Sequence, residues 1–472
     1  MTKMRLAVIG AGPAGIYASD LLLKAERDFE VSIDLFDLLP APYGLVRYGV
    51  SPDHPRIKGI INALKEVLDR GDIRFFGNVE FGRDITLDDL KKHYNAVIFA
   101  TGAIKDAPLN IPGIDAAGSY GAADFVSWFD GHPDVPRTWP LEAESVAVVG
   151  NGNVALDISR MLIKHADDLL PTEIPENVYQ GLKANPITDL HLFGRRGPEY
   201  VKFTPLELRE LGEVRDVDMV LDEADFQHED PYGAELAASN KQVLVMTRVF
   251  NAWREEQKQR EELLQRHPAD AEVASRRLHM HFWSKPVALI TDELNGEQKV
   301  TGIRVQRTKP DGKGGIVDTD EFYEVPIQAF YRAVGYFGSE LPEIPFDENT
   351  GVIPNEGGRV LDEAGNRIPG IYATGWIKRG PVGLIGHTKS DAMETLDGLV
   401  ADRDTWWQPG EPDEAAVVDL LDARGVKYTT VEGWQRLDAH ERAIGEAVGR
   451  ERIKVVSREE MTSIARNEPK RD

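Results

Sequence analysis

The chain has 472 residues, room for two or three domains and a substantial core. Its formal net charge of −24 argues against general affinity for nucleic acid or an anionic membrane. It contains no cysteine, which excludes disulfides, thiolate zinc sites, cysteine-ligated iron–sulfur clusters and reduction of a substrate through a protein disulfide. The first strand begins within about five residues of Met1, so no signal peptide is expected. No apolar run approaches the roughly 20 residues of a spanning helix, and a cytoplasmic enzyme is the expectation.

The apolar run Leu6-Ala7-Val8-Ile9 predicts a buried strand, and Gly10-Ala11-Gly12-Pro13-Ala14-Gly15 follows it at once. A strand, a tight glycine turn and a helix whose N-terminus points at a pyrophosphate form a dinucleotide site. Apolar spacing from Ile16 to Lys24 fits the helix, and Val31–Phe36 reads as the second strand, ending at Asp37. A carboxylate there accepts hydrogen bonds from ribose hydroxyls and repels a 2′-phosphate, so this half favours FAD or NAD over NADP. Ala96-Val97-Ile98-Phe99-Ala100-Thr101-Gly102 is a further buried strand ending in small residues. Gly370-Ile371-Tyr372-Ala373-Thr374-Gly375-Trp376 repeats that Ala-Thr-Gly ending, and the two read as neighbouring strands beside a bound cofactor.

A second fingerprint, Gly150-Asn151-Gly152-Asn153-Val154-Ala155, follows Val146-Ala147-Val148-Val149, and a helix is predicted from Asn153 to Ala166. The next strand, Leu190–Phe193, ends in Gly194-Arg195-Arg196-Gly197 instead of an acid. Two guanidinium groups at that place suit a 2′-phosphate, so this half is expected to take NADP(H). Gly150 and Arg195 stand 45 residues apart, against about 20 usually, so the stretch around Pro171–Pro175 is read as an insertion. Lys309–Gly315 predicts an exposed hairpin loop, Phe330–Gly335 a strand and turn, and the residues beyond Pro409 a linker and helical tail.

Together with these fingerprints, Pro40-Ala41-Pro42-Tyr43-Gly44-Leu45-Val46-Arg47-Tyr48-Gly49-Val50-Ser51-Pro52-Asp53-His54-Pro55, Leu156-Asp157 and Gly375-Trp376-Ile377-Lys378-Arg379-Gly380-Pro381 resemble the adrenodoxin-reductase-type ferredoxin–NADP reductases over nearly the whole chain. The resemblance implies an α/β fold of two Rossmann-like domains, with the NADP domain (residues 105–336) inserted into a discontinuous FAD domain (1–104 and 337–472, the latter with the helical tail). It implies noncovalent FAD, hydride transfer from NADPH and release of single electrons to a ferredoxin-type iron–sulfur protein. Besides Gly10, Gly12 and Gly15 of the turn, the implied FAD contacts are Ala14, Asp37, Leu45, Val79, Trp376, Gly383, Leu384 and Ile385. The implied NADP contacts are Asn151, Gly152, Asn153, Val154, Arg195, Arg196, Glu207 and Gly383. The chain departs from the family at Asp37, often Glu, and at Lys105-Asp106-Ala107, where an arginine is common.

Hydride transfer asks for positioning and water exclusion more than for acid–base groups. Trp376 is placed to shield the flavin ring or fill the nicotinamide slot. The Gly383–Gly386 turn, ahead of a helix from Ser390 to Leu399, is expected to aim an N-terminus at the flavin. His54, in its proline-rich loop, and Glu210, one turn after Glu207, are candidates to relay a proton or orient the carboxamide. A purely structural role for His54 stays open, because its flanking prolines stiffen the loop in any case. The arginines and lysines at 248, 254, 258, 260, 276 and 277, with Lys378 and Arg379, are the candidate docking cations for an acidic partner. No membrane or nucleic-acid partner is expected, no metal ligands stand out, and a monomer is favoured. An NADPH oxidase or quinone (diaphorase-type) flavoenzyme and a non-catalytic nucleotide sensor remain alternatives.

Overall fold

In the computed structural model, residues 2–267, 272–382 and 387–468 are described. Two mainly parallel sheets dominate. The first orders its strands Asn355–Glu356, Arg359–Leu361, Arg367–Ala373, Ala96–Phe99, Thr2–Ile9, Phe29–Phe36 and Ile73–Phe76. Both ends of the chain therefore build it. The paired Ala-Thr-Gly strands are adjacent and parallel, with Ala373 beside Phe99. Apolar residues run continuously along these strands because both faces are covered. Leu6 and Val8 pack on one side with Ile16, Leu396 and Trp434, and Ala7 and Ile9 on the other with Leu90, Ile377 and Leu421. Each fully buried leucine or valine contributes roughly 1.5–3 kcal/mol.

The second sheet orders Ser119–Gly121, Ala329–Arg332, Ser145–Val149, Asp189–Phe193, Arg276–His281 and Val217–Leu221, all parallel. One face is closed by helices. The other is closed by an antiparallel sheet of Ser284–Leu294, Glu297–Pro310 and Ile316–Pro326, whose Leu289, Ile303 and Val305 meet Val149 and Phe193. The two passages of the chain between the large sheets run side by side, Lys105–Asp106 pairing with Tyr336–Phe337. The fold is thus α/β with two Rossmann-type units, the second inserted into the first. Among the described residues, no helix is long and apolar enough to cross a membrane.

The glycine-rich stretch at 309–315 is the hairpin connection expected. The helix after the second fingerprint ends at Ile163 and not at Ala166, because the Arg276 guanidinium donates to the carbonyls of Ile163 and Lys164 at 2.7 and 2.9 Å and closes it. A 3-10 turn at Ala166–Leu169 and a helix at Glu176–Lys183 fill the long interval before Arg195. The tail forms helices Glu414–Ala423, Val431–Glu446 and Arg458–Arg466. It returns to the first sheet, where the fully buried Glu441 pairs with Arg47. There Lys454 also donates to the Arg47 carbonyl at 2.7 Å.

Candidate functional site

Steric demand explains the first glycine turn. Gly10 has φ +110°, and a Cβ there would strike the carbonyl of Ala100 on the neighbouring strand. Gly12 precedes the helix Pro13–Lys24 without any side-chain cap, and Pro13 has no N–H to satisfy, so the helix end is open to an anion. Gly15 packs against the Gly10 carbonyl, and Leu45 opens the short helix Leu45–Tyr48 behind Gly44, which closes over Gly12. Gly375, at φ +76°, brings the second Ala-Thr-Gly turn against Ala14. Asp391 holds that turn by accepting from the N–H of Gly375 and, at 3.1 Å, from the Thr374 hydroxyl.

Asp37 ends its strand as expected, but its carboxylate turns onto main chain. Its two oxygens accept from the N–H groups of Ala11, at 2.6 Å, and Leu39, at 2.8 Å. Burial pushes its pKa up to about 6, and these two bonds pull the other way. A carboxylate has about four acceptor positions, so two remain for ribose hydroxyls. Buried Val79 donates its N–H to the Asp37 carbonyl. Among the described residues, the buried Thr101 hydroxyl has no hydrogen-bond partner, while the Arg379 guanidinium lies 3.4 Å from Asp391. Trp376 starts the short helix Trp376–Arg379, is half-buried and stacks on no other described ring. Gly383, Leu384 and Ile385, with Gly386, lie outside the described residues; the helix after them spans Thr388–Ala401.

The second turn is built alike. Gly150 has φ +152° and sits against the Ala333 carbonyl, and Gly152 precedes the helix Asn153–Ile163 with no side-chain cap. The carbonyl of Asn151 accepts from the Lys202 N–H at 2.7 Å, and the Asn153 side chain accepts from the Thr204 N–H at 2.9 Å. Val154 is half-buried in that first helical turn. Arg195 is exposed and Arg196 half-buried, its guanidinium 5.9 Å from the Tyr200 ring centroid; neither has a carboxylate partner among the described residues.

Between the two turns, the loop carrying His54 inserts into the second unit. Asp53 accepts from Arg160 at 2.8 and 3.0 Å and from Lys164 at 2.6 Å, and these cations hold its carboxyl well below the usual range against the opposing effect of burial. His54 Nε2 lies 2.9 Å from Asp157 and 2.7 Å from Glu207, and Nδ1 lies 2.8 Å from Glu210. Burial opposes the imidazolium, but the hydrogen bonds to Asp157 and Glu207 prevail and hold His54 up at about 10. Burial also raises Glu210, which His54 and Arg160 draw back down. His54, Asp157 and Glu207 bring three donor atoms within 4.8 Å of one another, a spacing that suits a metal. The Arg160 guanidinium touches all three and already supplies the cation.

The sequence reading paired His54 with Glu210, and the structure brings them together; Glu207, expected at NADP, turns its carboxylate into this cluster as well. The sequence reading missed Asp157 and Arg160 as partners of the loop. Their i, i+3 spacing on the helix after the fingerprint was the available signal. Several of the candidate docking cations have partners within the chain. Arg254 pairs with Glu223, Arg260 with Asp218 at 3.2 Å and Arg277 with Asp189 at 2.8 Å, while Arg276 is buried on carbonyls. The long helix Lys241–Arg266 thus spends Arg254 and Arg260 on neighbouring acids, while Arg248 on it is exposed. Lys378 is likewise buried between Asp391 and Glu394.

The family described as pyridine nucleotide-disulphide oxidoreductase matches residues 4–183. Without cysteine, the chain shares that family's nucleotide-binding framework and not its disulfide. NADPH-ferredoxin reductase FprA of Mycobacterium tuberculosis (strain ATCC 25618 / H37Rv) is 39% identical over 98% of this chain and 99% of its own length. The mitochondrial NADPH:adrenodoxin oxidoreductase of Homo sapiens is 34% identical over 97% and 91%. The solved structure of Mycobacterium tuberculosis FprA in complex with NADPH, 37% identical, superposes with a TM-score of 0.86 over 98% of this chain and 99% of that one. Two glycine turns of this geometry, the arginine pair and likeness along the entire chain place this protein in the family of adrenodoxin-reductase-type ferredoxin–NADP reductases.

Proposed function

We propose that the chain is an FAD-dependent oxidoreductase that passes hydride between NADPH and FAD and single electrons between FAD and a ferredoxin-type iron–sulfur protein. One observation carries the proposal: two uncapped helix N-termini behind glycine turns, one beside a buried carboxylate and the other beside an arginine pair with no carboxylate partner among the described residues. Residues 1–104 and 337–472 form the FAD domain and 105–336 the NADP domain. Gly10, Gly12, Ala14, Gly15, Asp37, Leu45, Val79, Trp376, Gly383, Leu384 and Ile385 hold FAD. Asn151, Gly152, Asn153, Val154, Arg195, Arg196, Glu207 and Gly383 serve NADP.

Bound FAD supplies the two-electron to one-electron conversion that no side chain of this chain offers. The protein's part is placement. Asp37 orients the adenosine ribose, and the two helix ends neutralise pyrophosphate. Trp376 covers the nicotinamide side and keeps water out. His54, charged and held by Asp157, Glu207 and Glu210, keeps a positive group where the domains meet and orients the carboxamide with Glu210. Under this proposal the protein works in the cytoplasm as a monomer, without nucleic acid or membrane.

The test is direct. Purified protein should be yellow, bleach with NADPH much better than with NADH, and reduce cytochrome c strongly only when ferredoxin is added. Colourless protein defeats the proposal. Rapid quinone or oxygen reduction indifferent to ferredoxin would make it an oxidase or diaphorase instead.

A further inference from the structure

The turn Gly194–Gly197 has an unusual backbone arrangement. Its four successive carbonyls all accept hydrogen bonds: Gly194 from the Ser284 N–H at 2.9 Å, Arg195 from the Thr308 hydroxyl at 2.8 Å, Arg196 from the Trp283 N–H at 3.2 Å, and Gly197 from the Tyr200 N–H at 3.1 Å. Among the described residues, the N–H groups of Arg195, Arg196 and Gly197 donate to nothing. In a trans peptide the C=O and N–H point in opposite directions. Pulling three carbonyls toward Ser284, Thr308 and Trp283 therefore turns the next three N–H groups the other way. Consecutive outward amides make an anion-binding nest.

Three of these four locks are main-chain donors. Thr308 is the exception: a side chain 1% exposed, on the antiparallel strand Glu297–Pro310, whose own N–H donates to the Trp283 carbonyl at 2.8 Å. Trp283, also 1% exposed, lies under Gly197, where a Cβ would strike its ring. The antiparallel sheet is thus the scaffold of the arginine turn.

We propose that Thr308 is a positioning residue for 2′-phosphate selectivity: by holding the Arg195 carbonyl inward it presents the Arg196 amide, beside the two guanidinium groups, to the phosphate. This rests on the reading that Arg195 and Arg196 receive that phosphate. The occupant is the 2′-phosphate of an adenosine nucleotide, and the amide adds a donor of fixed direction to those of the two guanidinium groups.

Calorimetric titration of the holoenzyme with 2′,5′-ADP and with 5′-ADP tests it. Thr308→Val should weaken 2′,5′-ADP about three- to tenfold, the worth of one hydrogen bond, and leave 5′-ADP unchanged. Thr308→Ser should restore wild-type binding. Thr308→Ala carries the same expectation as valine if the valine variant does not fold. Equal loss for both nucleotides, or no loss for either, overturns the proposal. Arg195→Ala separates the two readings. If it abolishes the preference for 2′,5′-ADP while Thr308→Val does not, the positioning role alone fails. If it leaves the preference intact, the phosphate assignment fails with it.

Discussion

The Nε2 of His54 lies 2.9 Å from the carboxylate of Asp157, and this contact ties a loop of the first unit to the helix behind the second glycine turn. Burial works against a charged imidazole here, yet Asp157 and Glu207 hold it protonated up to about pH 10. The NADPH-driven reduction of ferricyanide should therefore show no titration from His54 between about pH 6.5 and 9. Asp157→Asn removes one of the two carboxylates on Nε2 and lowers the histidine's pKa, bringing a new inflection into that window. Superimposable pH–rate profiles for wild type and Asp157→Asn would remove His54 from the reaction. His54→Ala is expected to slow the reaction without abolishing it.

The same group makes stability depend on pH. Its pKa in the fold, about 10, lies above the ordinary 6.5, so its contribution is fully present below about pH 6.5 and is lost as pH rises through 10. His54→Gln has no such titration. The difference in urea midpoint between wild type and His54→Gln should shrink steadily from pH 7 to 10.5. A constant difference would mean that the imidazole is neutral in the fold.

Arg47 and Glu441 form a buried ion pair 394 positions apart, with the Val455 N–H also donating to Glu441 at 3.0 Å. Removing Glu441 leaves the buried Arg47 guanidinium without its carboxylate. Glu441→Ala should cost about 3–5 kcal/mol in urea unfolding. Because Arg47 belongs to the loop that closes over Gly12, flavin should be lost from this variant at lower urea than from wild type. A change under about 1 kcal/mol would show that solvent reaches Arg47.

Gly375 meets two demands at once: φ +76° and a would-be Cβ only 2.6 Å from the Ala14 Cβ. Gly375→Ala should cost about 1–3 kcal/mol through backbone strain alone. It should also part the two turns beside the crevice. Thermal unfolding and absorbance of retained flavin measure both effects, and a variant with wild-type melting and flavin content would contradict the close approach.

The glycine turns, the apolar strands around them, Asp37 and the arginine pair were readable because their requirements are local. A tight turn needs φ that only glycine adopts freely, and a strand covered on both faces needs an unbroken apolar run. The excess distance from Gly150 to Arg195 was equally visible, although not the two helical turns that fill it. Charge runs were harder to read for the opposite reason. Composition counts the cations on Lys241–Arg266, but whether they face an acid on Val217–Leu221 or on the Glu223–Phe226 turn depends on how the helix packs.

By itself, the order of residues determined that this chain carries two nucleotide turns of different phosphate preference and that no thiol can serve it. Only the tertiary structure decided that Asp37 spends half its acceptors on main chain, that His54 is charged, and that Thr308 reaches the arginine turn from 113 residues away. Those outcomes depend on burial and on partners brought together through space, quantities that the folded packing creates and that no local pattern encodes.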